Sequence, residues 1–354
     1  MTLLSVPNRL TRSLLFLAVL TSIQLIRPVK SAGQPTQNDS TSFLGRWALH
    51  LDSGAGWLEV RQEAGYLDAD LLWRGGSVVP VSHVYVQGKK LVVERIHRIS
   101  HKSDDENKPA REHMKVQRIL LEQRDGGKLG GGKLGGVSQT PRNNGLGIHR
   151  ETFVATRIPD LPARPDLSKV TYGQKVELFN GKDLTGWEVM NPHAGNGWVV
   201  KDGVLMNDPD ALGRRHTSNL RTSAVFEDFR LTLDLMVPEG SNSGIYLRGI
   251  YEVQVHDSHG QEPSKHNMGA IYSRIAPSVS AVKPAGQWQS YDIILCDRHV
   301  TVKLNGQLII DNQPLYGVTG GALWADESKP GPIYLQGDHG AVSYRNMILH
   351  PIVR

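Results

Sequence analysis

The stretch NSGIYLRG (242–249), followed one residue later by YEVQVHD (251–257), places polar side chains at every second position. The same alternation recurs in GPIYLQGDHG (331–340). Because successive residues of a β-strand point to opposite faces of a sheet, this pattern predicts strands with one apolar and one polar face. A sheet built from such strands has a polar surface suited to binding.

The strands around this stretch predict a β-sandwich. FRLTLDLMV (229–237) alternates apolar and polar residues, as a strand with one buried and one solvated face does. Asn305-Gly306, between VTVKL (300–304) and QLIID (307–311), is a strong hairpin signal. The strands continue from Val176 onward without a convincing amphipathic helix. We therefore expect an all-β, two-sheet sandwich over residues 176–352.

The first half of the chain predicts a second β-structure. Residues 43–157 contain short alternating runs separated by Gly pairs, typical of an antiparallel β-meander that closes into a small barrel or sandwich. Trp47 either plugs one end of its core or stacks on a ligand. Residues 126–147 are Gly-rich, with GGKLG twice in tandem, so a mobile loop is expected there. A Pro-rich linker, 158–175, follows.

The N-terminus has the pattern of a secretory signal peptide over residues 1–32. Basic residues precede a short apolar run, and small residues follow at Ser31 and Ala32. An uncleaved anchor is the alternative, although the run is too short to span a bilayer comfortably. Residues 33–42 are polar and expected to be disordered. We expect an exported protein, periplasmic or extracellular, with no transmembrane segment once the signal is removed.

Charge and cysteine content bear on two classes of function. The net charge of +5 is spread thinly, without blocks of Lys and Arg interleaved with aromatic residues, so nucleic-acid binding has little support. Cys296 is the only cysteine, so no intrachain disulfide can form. Cys296 alternates with Ile294 in a strand-like run, which favours a buried small side chain over a catalytic thiolate.

Eight phrases of the second half, in order, resemble the 3-keto-disaccharide hydrolase domain family. They are ELFNGKDLTGWE (177–188), GWVVKDGVL (197–205), NSGIYLRG, YEVQVHD, GAIY (269–272), KPAGQW (283–288), VKLNGQ (302–307), and LQGDHG (335–340) with YRNM (344–347). The resemblance implies a concanavalin-like jelly-roll sandwich, usually exported, acting on sugars already oxidised at C3. The preceding meander lies outside the resemblance.

The chemistry implied for such a substrate is elimination followed by hydration. A ketone at C3 acidifies the proton on C2, and the enolate formed there can expel the glycosidic oxygen from C1. Water then adds across the resulting double bond. The site needs a base near C2, donors around the C3 oxygen, and an acid or a metal for the leaving group. An ordinary glycosidase instead needs two carboxylates flanking the anomeric carbon.

Glu252 is the leading candidate for the base, or for a metal ligand. Tyr246, Arg248, Glu252 and Gln254 share one face only if the connection between their strands has odd register, for instance a three-residue Arg248-Gly249-Ile250 loop or a bulge. With that register they form a patch that can bind sugar hydroxyls, with Arg248 as a further catalytic residue. The alternative is an Arg248–Glu252 salt bridge on a solvated surface.

The other candidates for the site follow from the same phrases. His339 is a candidate general acid or base, because an imidazole titrates near neutrality; otherwise it is a turn residue bonded to backbone. Four further residues are candidates for sugar binding, or for backbone or packing contacts instead: Asn242, Tyr272, Gln336 and Trp324.

A divalent metal is a possible cofactor. His256 and Asp257, with His259 close behind in HDSHG (256–260), have side chains that ligate metals, yet a turn with exposed histidines fits the sequence as well. The sequence offers no direct sign of a nucleotide or flavin. If the protein is an enzyme for oxidised (3-keto) sugars, a separate sugar 3-oxidoreductase must supply its substrate.

Two other functions stay open at this point. Jelly-roll sandwiches serve as lectins as readily as enzymes, so a non-catalytic carbohydrate-binding protein of the envelope is the first alternative. The second is an envelope interaction protein that binds through the meander. An enzyme should gather Glu252, Arg248, Gln254 and His339 in one concavity, whereas a lectin needs only an aromatic platform and shallow polar groups.

Overall fold

A computed structural model describes residues 41–124, 132–209, 213 and 217–353. The predicted signal peptide (1–32) and most of the predicted disordered segment (33–42) lie outside these residues. In the described ranges, no helix combines the length and apolar character that a membrane crossing requires. All the described residues belong to one compact unit.

The first half of the chain forms an eight-stranded antiparallel sheet. Its strands are β1 (Gly45–His50), β2 (Ala55–Gln62), β3 (Leu67–Pro80), β4 (His83–Gln87), β5 (Lys90–His101), β6 (Arg111–Gln123), β7 (Lys133–Pro141) and β8 (Ile148–Arg157). The spatial order is β3-β2-β1-β8-β7-β6-β5-β4. The sheet curls back on itself where the N–H of Val81, just before β4, donates to the carbonyl of Ala69 in β3 at 3.0 Å. The meander therefore curls into a barrel, as predicted.

Trp47 plugs one end of this barrel. Its side chain is fully buried in an apolar cluster with Phe43, and its indole N–H donates to the Phe43 carbonyl at 2.9 Å. The Arg157 guanidinium covers the ring, 4.3 Å from the ring centroid. Trp47 is therefore a core residue rather than a platform for a ligand.

The predicted Gly-rich loop, 126–147, is wrong over its middle. Residues 133–141 form β7, which pairs with β6 on one side and β8 on the other. Gly136 is needed there, because a Cβ at this position would collide with the Phe153 ring. Gly136 thus makes room for a neighbouring aromatic side chain inside the barrel. Residues 142–147 form turns as expected, and residues 125–131 lie outside the described ranges.

In the second half of the chain, the described residues form fourteen strands and one short 3-10 helix, Pro192–Ala194. The strands are β9 (Thr171–Tyr172), β10 (Val176–Glu177), β11 (Trp187–Val189), β12 (Trp198–Lys201), β13 (Val204–Asn207), β14 (Leu220–Thr222), β15 (Phe229–Met236), β16 (Asn242–Leu247), β17 (Tyr251–His256), β18 (Gln289–Cys296), β19 (His299–Leu304), β20 (Gln307–Pro314), β21 (Tyr334–Leu335) and β22 (Val342–Val353).

These strands form two antiparallel sheets. One runs β12-β13-β22-β15-β18-β19-β20, with β9 and β10 also paired to β22; the other runs β11-β14-β21-β16-β17. β15 buries every second residue, beginning with Phe229, and both sheets contribute to one apolar cluster. The all-β class, with a jelly-roll sandwich following a barrel-like meander, is therefore confirmed. The Asn305-Gly306 hairpin is also present, with positive φ at both residues.

Barrel and sandwich share an apolar core. Trp57 of β2 is buried in the sandwich cluster, and Gly317 approaches its ring so closely that a Cβ there would collide with it. The Arg274 guanidinium lies over the same ring, 4.0 Å from the ring centroid. The Val78 N–H donates to the Ser273 hydroxyl at 2.9 Å. The barrel is thus packed firmly against the sandwich and helps to form its surface.

Candidate active site

The β16–β17 hairpin has the odd register that brings the polar residues together. A three-residue connection, Arg248-Gly249-Ile250, joins the strands, and Tyr246 pairs with Glu252 directly across the ladder. Arg248 and Gly249 both have positive φ, which lets the chain reverse in so short a loop. Asn242, Tyr246, Glu252 and Gln254 consequently lie on one face.

This face forms one wall of a cavity of about 420 Å³. The cavity contains most of the residues predicted for the site. Its lining is Gly54, Gly75, Gly76, Met190, Asn219, Asn242, Tyr246, Glu252, Gln254, Tyr272, Gly320, Gly321, Ala322, Leu323, Tyr334, Gln336, Asp338 and His339.

Glu252 is a buried carboxyl group at the centre of this wall. Only 4% of the residue is exposed, and burial raises the pKa of its side chain to about 8, against the opposing effects of the Tyr246 hydrogen bond and of His339. Gly244, across the ladder from Gln254, makes room for it, because a Cβ on Gly244 would lie 2.5 Å from Oε1 of Glu252.

The contacts of the Tyr246 hydroxyl indicate the protonation state of Glu252. The Tyr246 hydroxyl lies 2.8 Å from Oε2 of Glu252 and 2.7 Å from the Gly320 carbonyl oxygen. A hydroxyl has one proton, so it cannot donate fully to both acceptors. If Glu252 is protonated, it donates to Tyr246, which in turn donates to Gly320, and each close contact becomes a hydrogen bond. The arrangement therefore matches a neutral Glu252 at neutral pH.

His339 and Asp338 form a second titratable pair in the cavity. Nδ1 of His339 lies 2.6 Å from Oδ1 of Asp338, and this hydrogen bond raises the pKa of His339 despite the opposing effect of burial. Burial acts to raise the pKa of Asp338, but the His339 hydrogen bond and charge outweigh it and the pKa lies below the usual value. His339 thus holds its proton more tightly than a free imidazole does, and it lines the same cavity as Glu252.

Asn219 anchors this second pair. Its Oδ1 accepts hydrogen bonds from the Gly337 and Asp338 N–H groups, at 2.7 and 3.2 Å. Its amide nitrogen donates to the Tyr334 hydroxyl at 3.0 Å. The Tyr334 ring stacks on Tyr246, with centroids 4.1 Å apart and planes 13° apart. Two stacked tyrosines therefore connect Glu252 to the Asp338–His339 pair.

The amide side chains differ in how free they are to bind a ligand. Gln254 is engaged locally, since Nε2 donates to the His266 carbonyl and Oε1 accepts from the Val255 N–H. Oδ1 of Asn242 is buried without a hydrogen-bond partner in the structure. Because an unpaired buried acceptor is costly, Asn242 is the amide best placed to receive a hydroxyl from a ligand.

The barrel supplies part of the cavity wall. Gly75 and Gly76 follow Arg74 at a bend in β3, where Arg74 and Gly76 have positive φ. Gly320 lies so close to Gly76 that a Cβ on Gly320 would collide with the Gly76 backbone. The hydroxyl of Tyr272 also meets the barrel, 3.4 Å from Ser77. Alternation in the sandwich strands cannot reveal these contacts, because they depend on how the barrel packs against the sandwich.

Asn219, Tyr334 and Asp338 were also missed. The last two had a usable signal, because Tyr334, Gln336 and Asp338 are alternate residues of GPIYLQGDHG and all line the cavity. Asn219 had none, since it precedes a three-residue strand and reaches the cavity through tertiary structure alone.

Arg248 does not join this group. It is 2% exposed and points to another cavity, where its guanidinium donates to the carbonyls of Glu327 at 2.7 Å and Lys329 at 3.1 Å. Alternation fails at this position because Arg248 belongs to the loop and has φ of 55°. The predicted patch therefore forms without Arg248. No Arg248–Glu252 ion pair occurs among the described residues either, and Glu252 does not lie on a solvated surface.

Trp324 does not line the cavity. Its ring is half-buried against the sandwich core, beside Gly331, where a Cβ would lie 2.9 Å from it. Trp324 therefore packs within its loop and does not stack on a ligand in this cavity. The aromatic surface of the cavity comes from tyrosines instead.

The predicted metal ligands do not converge. Asp257 accepts a hydrogen bond from the Gly240 N–H, and His259 is bonded to the Val282 carbonyl, as turn residues are. His256 lies at the end of β17 and does not line the cavity. Within the described ranges, the one group of three potential ligand atoms close together is Asp228, Cys296 and Asp297, outside this cavity. The side chains of HDSHG thus do not fit a metal centre.

A concave polar site with a buried carboxyl group, hydroxyls and amides can bind a sugar and transfer a proton, as a carbohydrate-active hydrolase requires. Residues 174–350 match the model of the 3-keto-alpha-glucoside-1,2-lyase-like domain family, and the chain belongs to this family. The resemblance seen in the sequence is thereby confirmed. The barrel precedes the matched segment.

Solved structures similar to this chain include three crystal structures of candidate glycosyl hydrolases from Parabacteroides distasonis. The first is 28% identical, with a TM-score of 0.43, and the match covers 54% of this chain and 92% of that one. The second is 22% identical, with a TM-score of 0.42, covering 49% and 92%. The third is 24% identical, with a TM-score of 0.38, covering 51% and 100%. No curated protein matches the chain.

Proposed function

We propose that this protein is an exported enzyme that cleaves the glycosidic bond of 3-keto-disaccharides and related 3-keto-glycosides. The observation that carries the proposal is a buried Glu252, with a pKa near 8, in a polar cavity of a domain belonging to this family. A carboxyl group in such surroundings is tuned for proton transfer near neutral pH. The oxidised sugar is supplied by a separate sugar 3-oxidoreductase.

The reaction proceeds by elimination and hydration. The Glu252 carboxylate removes the proton from C2, and the electrons of that bond form an enolate with the C3 carbonyl. The enolate then re-forms the ketone, a C1–C2 double bond appears, and the glycosidic oxygen leaves from C1. Water adds to C1 and a proton returns to C2, which gives the free 3-keto sugar.

The remaining groups of the cavity support these steps. His339, whose pKa is raised by Asp338, donates a proton to the departing glycosidic oxygen. Tyr246 stabilises the Glu252 carboxylate when it forms, by turning its hydroxyl from Gly320 to Oε2. Asn242 accepts a sugar hydroxyl at its unpaired oxygen. Low dielectric in the cavity strengthens each of these interactions.

The test is incubation of the mature protein with 3-keto-trehalose and with unoxidised trehalose, following free sugar and the absorbance of the enone. We expect cleavage of the keto substrate alone and a loss of about 10²–10⁴-fold in rate for Glu252→Gln. Glu239→Gln, which removes an exposed carboxylate, is the matched control. Parallel reactions with chelator establish whether a metal contributes. Sugar binding without turnover of any 3-keto-glycoside would establish a lectin instead.

The pH dependence adds a second criterion. Glu252 must lose its proton to act as base, so the rate should rise with pH through about 8. His339 acts in its protonated form, and Asp338 raises its pKa above the usual value for histidine, so the two groups together should give a bell-shaped profile. The rising limb should disappear in Glu252→Gln. A rate that is flat between pH 6 and 9 would assign the base to another group.

A further inference from the structure

The inward-facing side chains of the barrel change from apolar to polar halfway along four neighbouring strands, β5 to β8. Alternate residues of a strand face the same side, so the inward positions can be read directly. At the end plugged by Trp47 they are apolar and buried, whereas towards the opposite end they are polar or charged. The apolar positions are Leu91 and Val93, Ile119 and Leu121, Leu134, and Phe153 and Ala155. The polar positions are Arg95 and His97, Lys115 and Gln117, Ser138 and Thr140, and His149 and Glu151.

The polar end forms an open cavity of about 830 Å³. Trp73, which lines it, meets Phe153 edge to face with ring centroids 5.5 Å apart. Buried amide and hydroxyl groups lie on its wall, where Nε2 of Gln117 donates to the Ser138 hydroxyl at 3.0 Å. The cavity is therefore a cup with an aromatic side chain and hydrogen-bonding walls.

The cup carries an excess of positive charge. Its lining includes four permanent cations, Arg74, Arg95, Lys115 and Arg142, but only one carboxylate, Glu151. Glu151 is paired with Arg74. Arg95 is half-buried, and among the described residues no carboxylate forms an ion pair with it; its guanidinium meets only Oε1 of Gln117, at 3.4 Å. Burial without a counter-ion lowers the pKa of Arg95. A negatively charged ligand would supply the missing partner.

Two polar atoms in the cup also lack partners in the structure. Oε1 of Glu151 and Nε of Arg74 are buried without a hydrogen bond. The free carboxylate oxygen can only accept a hydrogen bond, which a sugar hydroxyl can donate and a simple inorganic anion cannot. The cup therefore combines cations for an acidic group with an acceptor for hydroxyls.

From these observations we infer that the barrel is a binding site for an anionic saccharide, a sugar that carries a carboxylate or a sulfate. The acidic group binds at Arg95, the hydroxyls bind Glu151, Gln117 and Ser138, and the sugar ring lies against Trp73. The cup shares a wall with the Glu252 cavity, since Trp73 and Arg74 line the cup while Gly75 and Gly76 line the cavity.

The experiment measures binding to the mature protein by isothermal titration calorimetry and tryptophan fluorescence. The probes are digalacturonate, its methyl ester as a neutral match of the same shape, a sulfated disaccharide, and inorganic sulfate. We expect digalacturonate or the sulfated disaccharide to bind at least tenfold more tightly than the ester and than sulfate alone. Which of the two binds better distinguishes a carboxylate from a sulfate ligand. Affinity should fall with rising salt concentration.

The variants locate the site. Arg95→Gln should weaken binding at least tenfold, whereas Arg98→Gln, three residues further along β5 with a side chain 66% exposed, should leave it within twofold. If Arg95→Gln folds poorly, Lys115→Gln, which removes another cation of the cup, provides the binding measurement instead. Glu252→Gln should bind with unchanged affinity, which separates this site from the proposed active site. Equal binding of the ester, sulfate alone binding as tightly, no binding of any probe, or an Arg95→Gln variant of normal affinity would each overturn the inference.

Discussion

Glu252 couples the proposed chemistry to the stability of the fold. Its pKa rises from about 4.5 in an unfolded chain to about 8 in the protein because of burial, so the folded state holds the proton more tightly. The resulting contribution to stability is fully present below pH 4.5 and is lost as the pH rises through 8. A shift of this size corresponds to a few kcal/mol, about 1.4 kcal/mol for each pH unit.

Glu252→Gln should therefore become more stable than the natural protein as the pH rises. Glutamine keeps the shape of the neutral carboxyl group but cannot ionise. Thermal unfolding of both proteins between pH 5 and 9 should show a gap in Tm that widens with pH up to about 8. Glu239→Gln, at an exposed position, should show no such trend. A constant gap would mean that Glu252 ionises normally in the folded state.

Gly244 is a second residue whose identity the site requires. A Cβ there would lie 2.5 Å from Oε1 and 3.0 Å from Cγ of Glu252, in a fully packed environment. Gly244→Ala should cost about 1–3 kcal/mol of stability and should displace the carboxyl group, lowering the rate at least tenfold. Gly132→Ala, where nothing lies within 4 Å of the new atom, is the control. Chemical denaturation and initial rates measure the two effects separately.

At the scale of strands and loops, alternation of side chains predicted the cavity-facing residues correctly within the strands but not in the loop that joins them. Glu252 and Gln254 on β17, Tyr246 on β16, and Gln336 beyond β21 all face the cavity as the sequence pattern requires. Arg248 was misplaced because it stands one residue past the end of β16, where positive φ redirects the side chain. The length of the connection decides this register, since the three-residue Arg248-Gly249-Ile250 loop places Tyr246 opposite Glu252.

Arg248 instead stabilises the loop that follows Trp324. Its guanidinium satisfies the carbonyls of Glu327 and Lys329 in a nearly water-free setting. Arg248→Gln should reduce the free energy of unfolding by about 2–4 kcal/mol, because buried acceptors lose a charged donor. The rate per folded molecule should change less than threefold. Arg221→Gln, with a side chain 42% exposed, should be nearly neutral in both assays. A large fall in kcat with normal stability would return Arg248 to the catalytic group.

At the scale of the whole molecule, the sequence divided the chain into a barrel and a sandwich but gave no sign of how they meet. Both architectures follow from patterns within strands, whereas the contact depends on Trp57 of β2 fitting against Gly317. The packing places Gly75 and Gly76 of the barrel in the wall of the Glu252 cavity. Contacts between distant segments leave no periodic signal in one sequence, so the barrel's part in the site could only be seen in three dimensions.

This shared core predicts that barrel and sandwich unfold together. Trp57→Ala removes a buried ring from their contact and should cost about 3–5 kcal/mol. Differential scanning calorimetry of the natural protein should show one transition, and the variant should show either one transition at lower temperature or two. Trp288→Ala, at a half-buried ring that lies under the Arg345 guanidinium and away from the barrel contact at Trp57, should lower Tm much less and keep one transition. Two transitions in the natural protein would show that the barrel folds independently and that its contact with the sandwich adds little stability.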